Sequence, residues 1–433
     1  MEDFKPTKYL LSSIATGKTF EDEGWTLDDP NYDKPALIRS IYSKHQIEIK
    51  NDSHGMYKFA DWLPILRTLK GSSAPVTYKS KALAKHLGLS NLYITFSGWW
   101  PEKGGFNRTC SFKETEAYTV MARIGKDEKR IMVVASAGNT ARAFAQVCSD
   151  NNIPLLLTLP ADNLSAMWFD KPLNNCVKLI VSETGCDYYD AINLSNMACT
   201  MKEFIAEGGA KNVARREGMG TTTLSAAIIM GRIPDYYFQA VGSGTGAIAA
   251  YEANLRLIKD GRFGSNMMKL MVSQNKPFTP IYDAWHNDSR ELPALDADLA
   301  RQQVQEILAK VLSNRKPPYS IIGGLFDAMK HSNGDVLLAS NEEAIEAMKL
   351  FETLEGIDIH PAAGIATASL INAVKENKVE KDAAIMLNIT GCGEERLKTQ
   401  LAEKIYYLKP SHVFEANPAF EEVESVLSNL FAF

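Results

Sequence analysis

Between Asn91 and Ile389 the chain repeats one pattern: a short contiguous apolar run, a loop of small polar residues, then a helix-forming stretch. The runs are Asn91–Phe96, Arg130–Ala135, Pro154–Leu159, Val177–Val181, Tyr236–Val241, Met268–Ser273 and Ala383–Ile389. Strands covered on both faces read as unbroken apolar runs, whereas half-solvated strands alternate. Helices are expected at Ser111–Ile124, Ala141–Cys148, Asp190–Ala206 and Ala247–Ile258. Such alternation specifies an α/β fold, with mainly parallel sheets covered by helices on both faces. Ligands of such sheets lie beyond the carboxyl ends of the strands, so the loops after the runs are the places to look for chemistry. Before the pattern, Lys81–Leu87 fits a short helix stopped by Gly88. The first 70 residues, with turn signals at Asp28-Asp29-Pro30 and Asn51–Gly55, read as an irregular wrap. The tail from Glu394 reads as a packing helix with a solvated face.

A chain of 433 residues exceeds one ordinary core, so two domains are expected. Lys+Arg 47 against Asp+Glu 52 leaves a net charge of −5 and no polybasic tract, which argues against nucleic acid or an anionic membrane as partner. No run reaches the roughly 18 apolar residues of a membrane span. Met1-Glu-Asp-Phe4 lacks the basic start of a signal peptide, so a cytoplasmic location is expected. The six cysteines (Cys110, Cys148, Cys176, Cys186, Cys199, Cys392) form no C-x-x-C pair, and the histidines no metal-binding pair. Buried thiols and no metal site are expected.

Four loops carry possible chemistry. Gly242-Ser243-Gly244-Thr245-Gly246 lies between a strand and a helix, where successive N–H groups and the helix dipole favour a phosphate. It also fits G-x-G-x-x-A, but the next strand ends Val272-Ser273-Gln274 without the ribose-binding acid of a dinucleotide fold. A smaller phosphorylated molecule is the expected occupant, a ligand-free turn the alternative. In Ser111-Phe112-Lys113-Glu114 the lysine stands near a helix start, where the dipole disfavours a cation and favours the neutral amine that a Schiff-base lysine needs; a solvated surface lysine is the alternative. Ala135-Ser136-Ala137-Gly138-Asn139-Thr140 is a donor-rich turn suited to a carboxylate or a phenolic oxygen, or simply a capped helix start. Asn388-Ile389-Thr390-Gly391-Cys392-Gly393 ends a strand with a hydroxyl that could meet a ring nitrogen.

In their order and spacing, from about Leu83 to Lys398, these segments resemble the fold-type II pyridoxal-phosphate enzymes, the tryptophan synthase β-subunit-like family, and within it the threonine synthases. The resemblance implies two three-layer α/β/α domains with pyridoxal 5'-phosphate between them. Residues 1–117 and 236–433 would form the larger domain and 118–235 a smaller inserted one. It implies that Lys113 holds the cofactor and serves as the general base. Asn139 would meet the phenolic oxygen, Thr390 the ring nitrogen, and Gly242, Ser243, Gly244, Thr245 and Gly246 the phosphate. Ser136, Ala137, Gly138 and Thr140 would hold the substrate carboxylate. Threonine synthases usually have Asp-Arg after the lysine, where Glu114-Thr115 stands here, and Glu-Pro where His360-Pro361 stands. Cys110–Ala117, with the Trp99-Trp100-Pro101 insertion before it, is similar to the archaeal cysteate synthase family, which makes L-cysteate from O-phospho-L-serine and sulfite in coenzyme M biosynthesis. Anionic substrates need cations, for which Lys103, Arg108, Lys211, Arg215 and Arg216 are candidates. Cys110 and Cys392 are explained by packing. Small-molecule substrates and a homo-oligomer are expected. A threonine synthase, a sulfide-using cysteine synthase and a non-catalytic binder of a phosphorylated ligand remain open readings.

Overall fold

The computed structural model describes residues 4–136, 138–186, 188–402 and 404–432. Strands β1 (Tyr9–Ser13), β2 (Thr19–Phe20) and β3 (Ile38–Tyr42) form an antiparallel sheet. The expectation of an irregular wrap is corrected here. Ile38, Ser40 and Tyr42 alternate inward, and Leu11 and Ile38 pack on Val213, so a weak period of two is fixed by the body beneath it. The helix Ala82–Leu87 follows β4 (Val76–Lys79), ends at Gly88, and leads to β5 (Asn91–Phe96). A short hairpin of β6 (Trp99–Trp100) and β7 (Gly105–Phe106) precedes the helix Lys113–Arg123. The chain continues through β8 (Ile131–Ala135), β9 (Leu155–Pro160), β10 (Trp168–Phe169), β11 (Val177–Ser182) and β12 (Phe204–Ala206). It then runs through β13 (Tyr236–Ala240), β14 (Lys269–Asn275), β15 (Asp335–Ala339), β16 (Ala384–Ile389), β17 (Tyr406–Tyr407) and β18 (His412–Phe414).

Two sheets organise these strands. The larger has the order β15-β14-β13-β16-β5-β4, parallel except for β4. The smaller, β12-β8-β9-β11-β18, is parallel throughout. Successive strand residues feed opposite faces. Phe238 and Leu387 enter one core cluster while Tyr237 and Met386 enter the other. In the smaller sheet Met132 and Val134 face one way, Ile131 and Val133 the other. Each strand therefore needs apolar side chains at every position, which is why the runs are unbroken.

Two sequence expectations change. The helix expected over Asp190–Ala206 ends at Ala198, and Phe204–Ala206 becomes β12, paired with β8 through Ile205 opposite Met132. Edge pairing onto an existing strand outweighs the helical pattern of that short stretch. The C-terminal tail, expected with the larger domain, instead adds β18 to the smaller sheet. The helix Phe420–Phe431 puts Val423 and Leu427 on the same cluster as Val133 and Leu156. The helix Val213–Met230, capped by Asn212 accepting from the Ala214 N–H at 3.0 Å, packs against Lys113–Arg123 and has no counterpart in the sequence reading. Among the described residues no helix is long and apolar enough to cross a membrane.

Candidate active site

The strand orders locate the crevice. From β13 the chain winds outward to β14 and β15, while β16 and β5 lie on the other side, so the order reverses between β13 and β16. The loops leaving those strands are Gly242–Gly246 and Thr390–Gly393. In the smaller sheet the order reverses between β8 and β12, whose exits are Ser136–Thr140 and Glu207. Reversal points are where loops part and a ligand can enter.

Lys113 is the first residue of its helix, and the loop before it is pinned to the larger sheet. The Phe112 N–H donates to the Thr390 carbonyl at 2.9 Å, and the Lys113 N–H to Ser111 Oγ at 3.2 Å. Asn107 Nδ2 donates to the Ser111 carbonyl at 3.0 Å. His360 Nε2 lies 3.1 Å from the Cys110 carbonyl, which it meets as an N–H donor, and burial holds that imidazole below its ordinary pKa. Gly391 lies so close that a Cβ there would stand 2.2 Å from the same carbonyl. The buried Glu114 takes the Thr109 hydroxyl at 2.9 Å and the Thr109 N–H, and closes the loop on itself.

Beyond the loop lies a polar network in which Lys113, Thr140 and Arg215 are residues the sequence singled out, whereas Glu116 and Glu207 are not. The fully buried carboxylate of Glu116 places Oε2 at 3.2 Å from Lys113 Nζ and accepts on Oε1 from Thr140 Oγ1 and Arg215 Nη2, each at 3.0 Å. On its other side Arg215 Nε faces Glu207 Oε1 at 3.0 Å. Glu207 is oriented by the Gly209 N–H, 3.0 Å from Oε2. Burial lowers the Lys113 pKa, Glu116 opposes that, and Arg215 reinforces it. Burial raises the Glu207 pKa against the pull of Arg215. Burial likewise works against the Arg215 charge, but Glu116 and Glu207 outweigh it and raise that pKa. The signal for Glu116 and Arg215 was present as one-turn spacing from Lys113 and a helix start at Asn212, but no local rule ties those helices together.

The other predicted residues fall as follows. Ser136 Oγ accepts the Gly138 N–H at 3.1 Å, Asn139 opens the helix Asn139–Asn151, and the Thr140 hydroxyl is committed to Glu116. Ala137 lies outside the described residues. Among the cations, Arg216 is buried on Glu252 at 2.8 Å and Arg108 holds Asp150 at 2.6 Å. Lys211 pairs with Asp28 at 2.7 Å, and Lys103 lies over the Tyr78 ring at 4.7 Å. Arg215 alone of these five touches the Lys113 network. Cys110 and Cys392 are both buried, Cys392 Sγ 3.7 Å from His360 Nδ1.

The residues present fit pyridoxal phosphate. Gly244 has φ +76°, and a Cβ there would meet Leu325 Cδ2 at 2.6 Å, so this turn needs glycine. It delivers Ser243 and Thr245, hydroxyls 2.9 Å apart, to the start of the helix Thr245–Asp260, which has no side-chain cap. Hydroxyls, loop amides and a helix dipole suit a phosphate dianion. The half-buried amine of Lys113 suits an aldehyde.

The comparisons point to the same cofactor. The sequence model described as "Pyridoxal-phosphate dependent enzyme" matches residues 80–391. A cysteate synthase from Methanosarcina barkeri is 47% identical over 404 residues, covering 93% of this chain and 95% of that protein. One from Methanosarcina acetivorans is 44% identical over 412 residues, covering 95% and 97%. Among solved structures, maize serine racemase superposes with a TM-score of 0.56 at 14% identity over 76% of this chain and 91% of that one, a likeness of fold. The chain belongs to the pyridoxal-phosphate dependent enzymes of fold type II and, within them, to the cysteate synthase family.

Proposed function

We propose that this enzyme converts O-phospho-L-serine and sulfite into L-cysteate and phosphate by β-replacement on pyridoxal phosphate. The observation that carries the reading is the Lys113 amine, held in a network that contains one fixed cation, Arg215, at the joint exits of two parallel sheets. Near full-length similarity to cysteate synthases supports the same reaction. The bound cofactor supplies an electron sink for the pair left at the substrate Cα when its proton departs.

The chain's own residues divide the work between the two sheets. Lys113 anchors the cofactor, then takes the Cα proton on Nζ and returns it after the replacement. Ser243, Thr245 and the amides of Gly242–Gly246 hold the cofactor phosphate, with Asn139 at its phenolic oxygen and Thr390 at its ring nitrogen. A hydroxyl at that nitrogen does not force protonation there. The Ser136 hydroxyl, which accepts from the Gly138 N–H, keeps its own proton to donate to the substrate carboxylate, beside the start of the helix Asn139–Asn151. Arg215 is the cation placed for an anion leaving or approaching Cβ, because of the five candidates it is the one joined to the Lys113 network, through Glu116. Phosphate departs from Cβ with its bonding pair, and sulfite bonds there through sulfur. We place residues 118–235 in the smaller domain, with the β18 segment added to its sheet, and the remainder in the larger.

Purified enzyme given phosphoserine and sulfite is expected to release phosphate and cysteate in equal amounts. Phosphate release from phosphohomoserine with threonine formed would instead make it a threonine synthase. Borohydride reduction followed by peptide mapping is expected to leave the pyridoxyl label on Lys113, and Lys113→Ala to abolish both label and turnover. A label on another peptide would overturn the site.

A further inference from the structure

Lys113 faces two opposed demands. The amine must be neutral to attack the cofactor aldehyde, and basic enough to take a proton from Cα. Burial satisfies only the first: with the side chain about one-fifth exposed, desolvation alone would leave a weak base. The groups that face it are Glu116 on its own helix, Arg215 on the helix Val213–Met230 and Glu207 after β12. Tyr188, at the start of the helix Tyr188–Ala198, faces Arg215, Glu207 and Glu116 in turn. Glu207 bears on the amine with Arg215 between, and Arg215 repels its proton. Among the described residues only Glu116 places a carboxylate oxygen in direct contact.

We propose that Glu116 is the positioning residue that holds the migrating proton on Lys113: Oε2, 3.2 Å from Nζ, receives the ammonium formed at Cα proton removal, while Oε1 is fixed by Thr140 Oγ1 and Arg215 Nη2 at 3.0 Å. The carboxylate is wholly buried, so it neither rotates into water nor loses its charge to screening. One proton passes from Cα to Nζ, rests against Glu116, and returns to Cα; no bond to Glu116 forms. The bridge to Arg215 also couples the two ends of the site. An anion that takes Arg215 relieves Glu116 of one positive partner and leaves its charge more fully to Lys113, which raises basicity when substrate is present.

This inference rests on Lys113 being the cofactor lysine, and its test separates the two. Full-length protein is stripped of cofactor, and the rate of pyridoxal phosphate capture is followed by absorbance across pH. The midpoint reports the amine. Glu116→Gln keeps acceptors for Thr140 and Arg215 but removes the charge; its midpoint is expected about 1–3 pH units lower. Arg215→Met removes the repelling cation and is expected to move the midpoint upward, while Glu116→Asp stays near the parent. Once loaded, Glu116→Gln is expected to lose on the order of 10²-fold in kcat, with KM for phosphoserine within about threefold. Coincident midpoints for parent and Glu116→Gln, at unchanged melting temperature, would overturn the proposal. Should Glu116→Gln not fold, an unmoved or lowered midpoint in Arg215→Met does the same. Absence of a borohydride-fixed label on Lys113 in the parent would sink the underlying site instead.

Discussion

At the scale of single residues, Glu114 shows how much the fold spends on holding the lysine loop. It is buried beside Lys113, its Oε1 taken by Thr109 and its Oε2 without a hydrogen-bond partner among the described residues. Burial, only partly offset by Thr109, raises its pKa from 4.5 to about 7. Between those values the folded state holds a proton that the unfolded state has lost. Stability therefore falls as pH rises through that window, and the full penalty persists above it. Glu114→Gln removes this contribution. Its denaturation free energy should gain up to about 3 kcal/mol on the parent between pH 5 and 8, as read by urea titration at each pH. A constant difference across that range would show that Glu114 is ionised throughout. The sequence exposed Lys113 because its neighbours in the chain are informative. Glu116 and His360 were harder to read: Glu116 stands one turn from Lys113, but the groups that fix these two side chains are 24 to 250 positions away.

At the scale of elements, the helix Val213–Met230 is the piece that turns an alternating α/β chain into a site. It carries Arg215, and it crosses the helix Lys113–Arg123 so closely that a Cβ on Gly218 would stand 2.3 Å from the Thr115 carbonyl and 2.6 Å from Thr119 Oγ1. Alanine at a helical glycine ordinarily gains about 1 kcal/mol of propensity. Here the overlap with backbone outweighs that gain, and Gly218→Ala is expected to cost about 1–3 kcal/mol and to lower cofactor affinity, both measurable by calorimetry. A melting temperature at or above the parent's would show that the two helices separate freely. Neither the crossing nor the helix was apparent in the sequence. Its stretch Val213–Met230 is buried almost all round, so it shows no amphipathic stripe to detect. The strand β12 escaped for the opposite reason, being three residues whose identity as strand comes only from pairing with β8.

At the scale of the whole molecule, the chain's end returns to its middle. Phe414, fully buried on β18, joins Ile131, Val133 and Leu156 in the core of the smaller sheet. Phe414→Ala is expected to cost about 3–5 kcal/mol in chemical denaturation and to increase proteolysis in the smaller sheet, whose reversal point presents Ser136–Thr140 and Glu207. Loss of less than about 1 kcal/mol would mean that the tail merely rests on the sheet. The fold class was legible because buried parallel strands announce themselves as unbroken apolar runs, and the four loops because glycine, small hydroxyl residues and a helix-start lysine mark them.

What the sequence determined alone is whatever is encoded within one strand, loop and helix: the α/β class, the glycine turn at Gly242–Gly246, and the helix start at Lys113. Tertiary structure decided the rest, namely which cation of five reaches Lys113, which carboxylate holds it, and which sheet owns the tail. The physical reason is one of range. Backbone conformation and dipoles act over a few neighbouring residues and can be read in order. Ion pairing and edge pairing act through space, and only the folded chain brings their partners within 3 Å or so of one another.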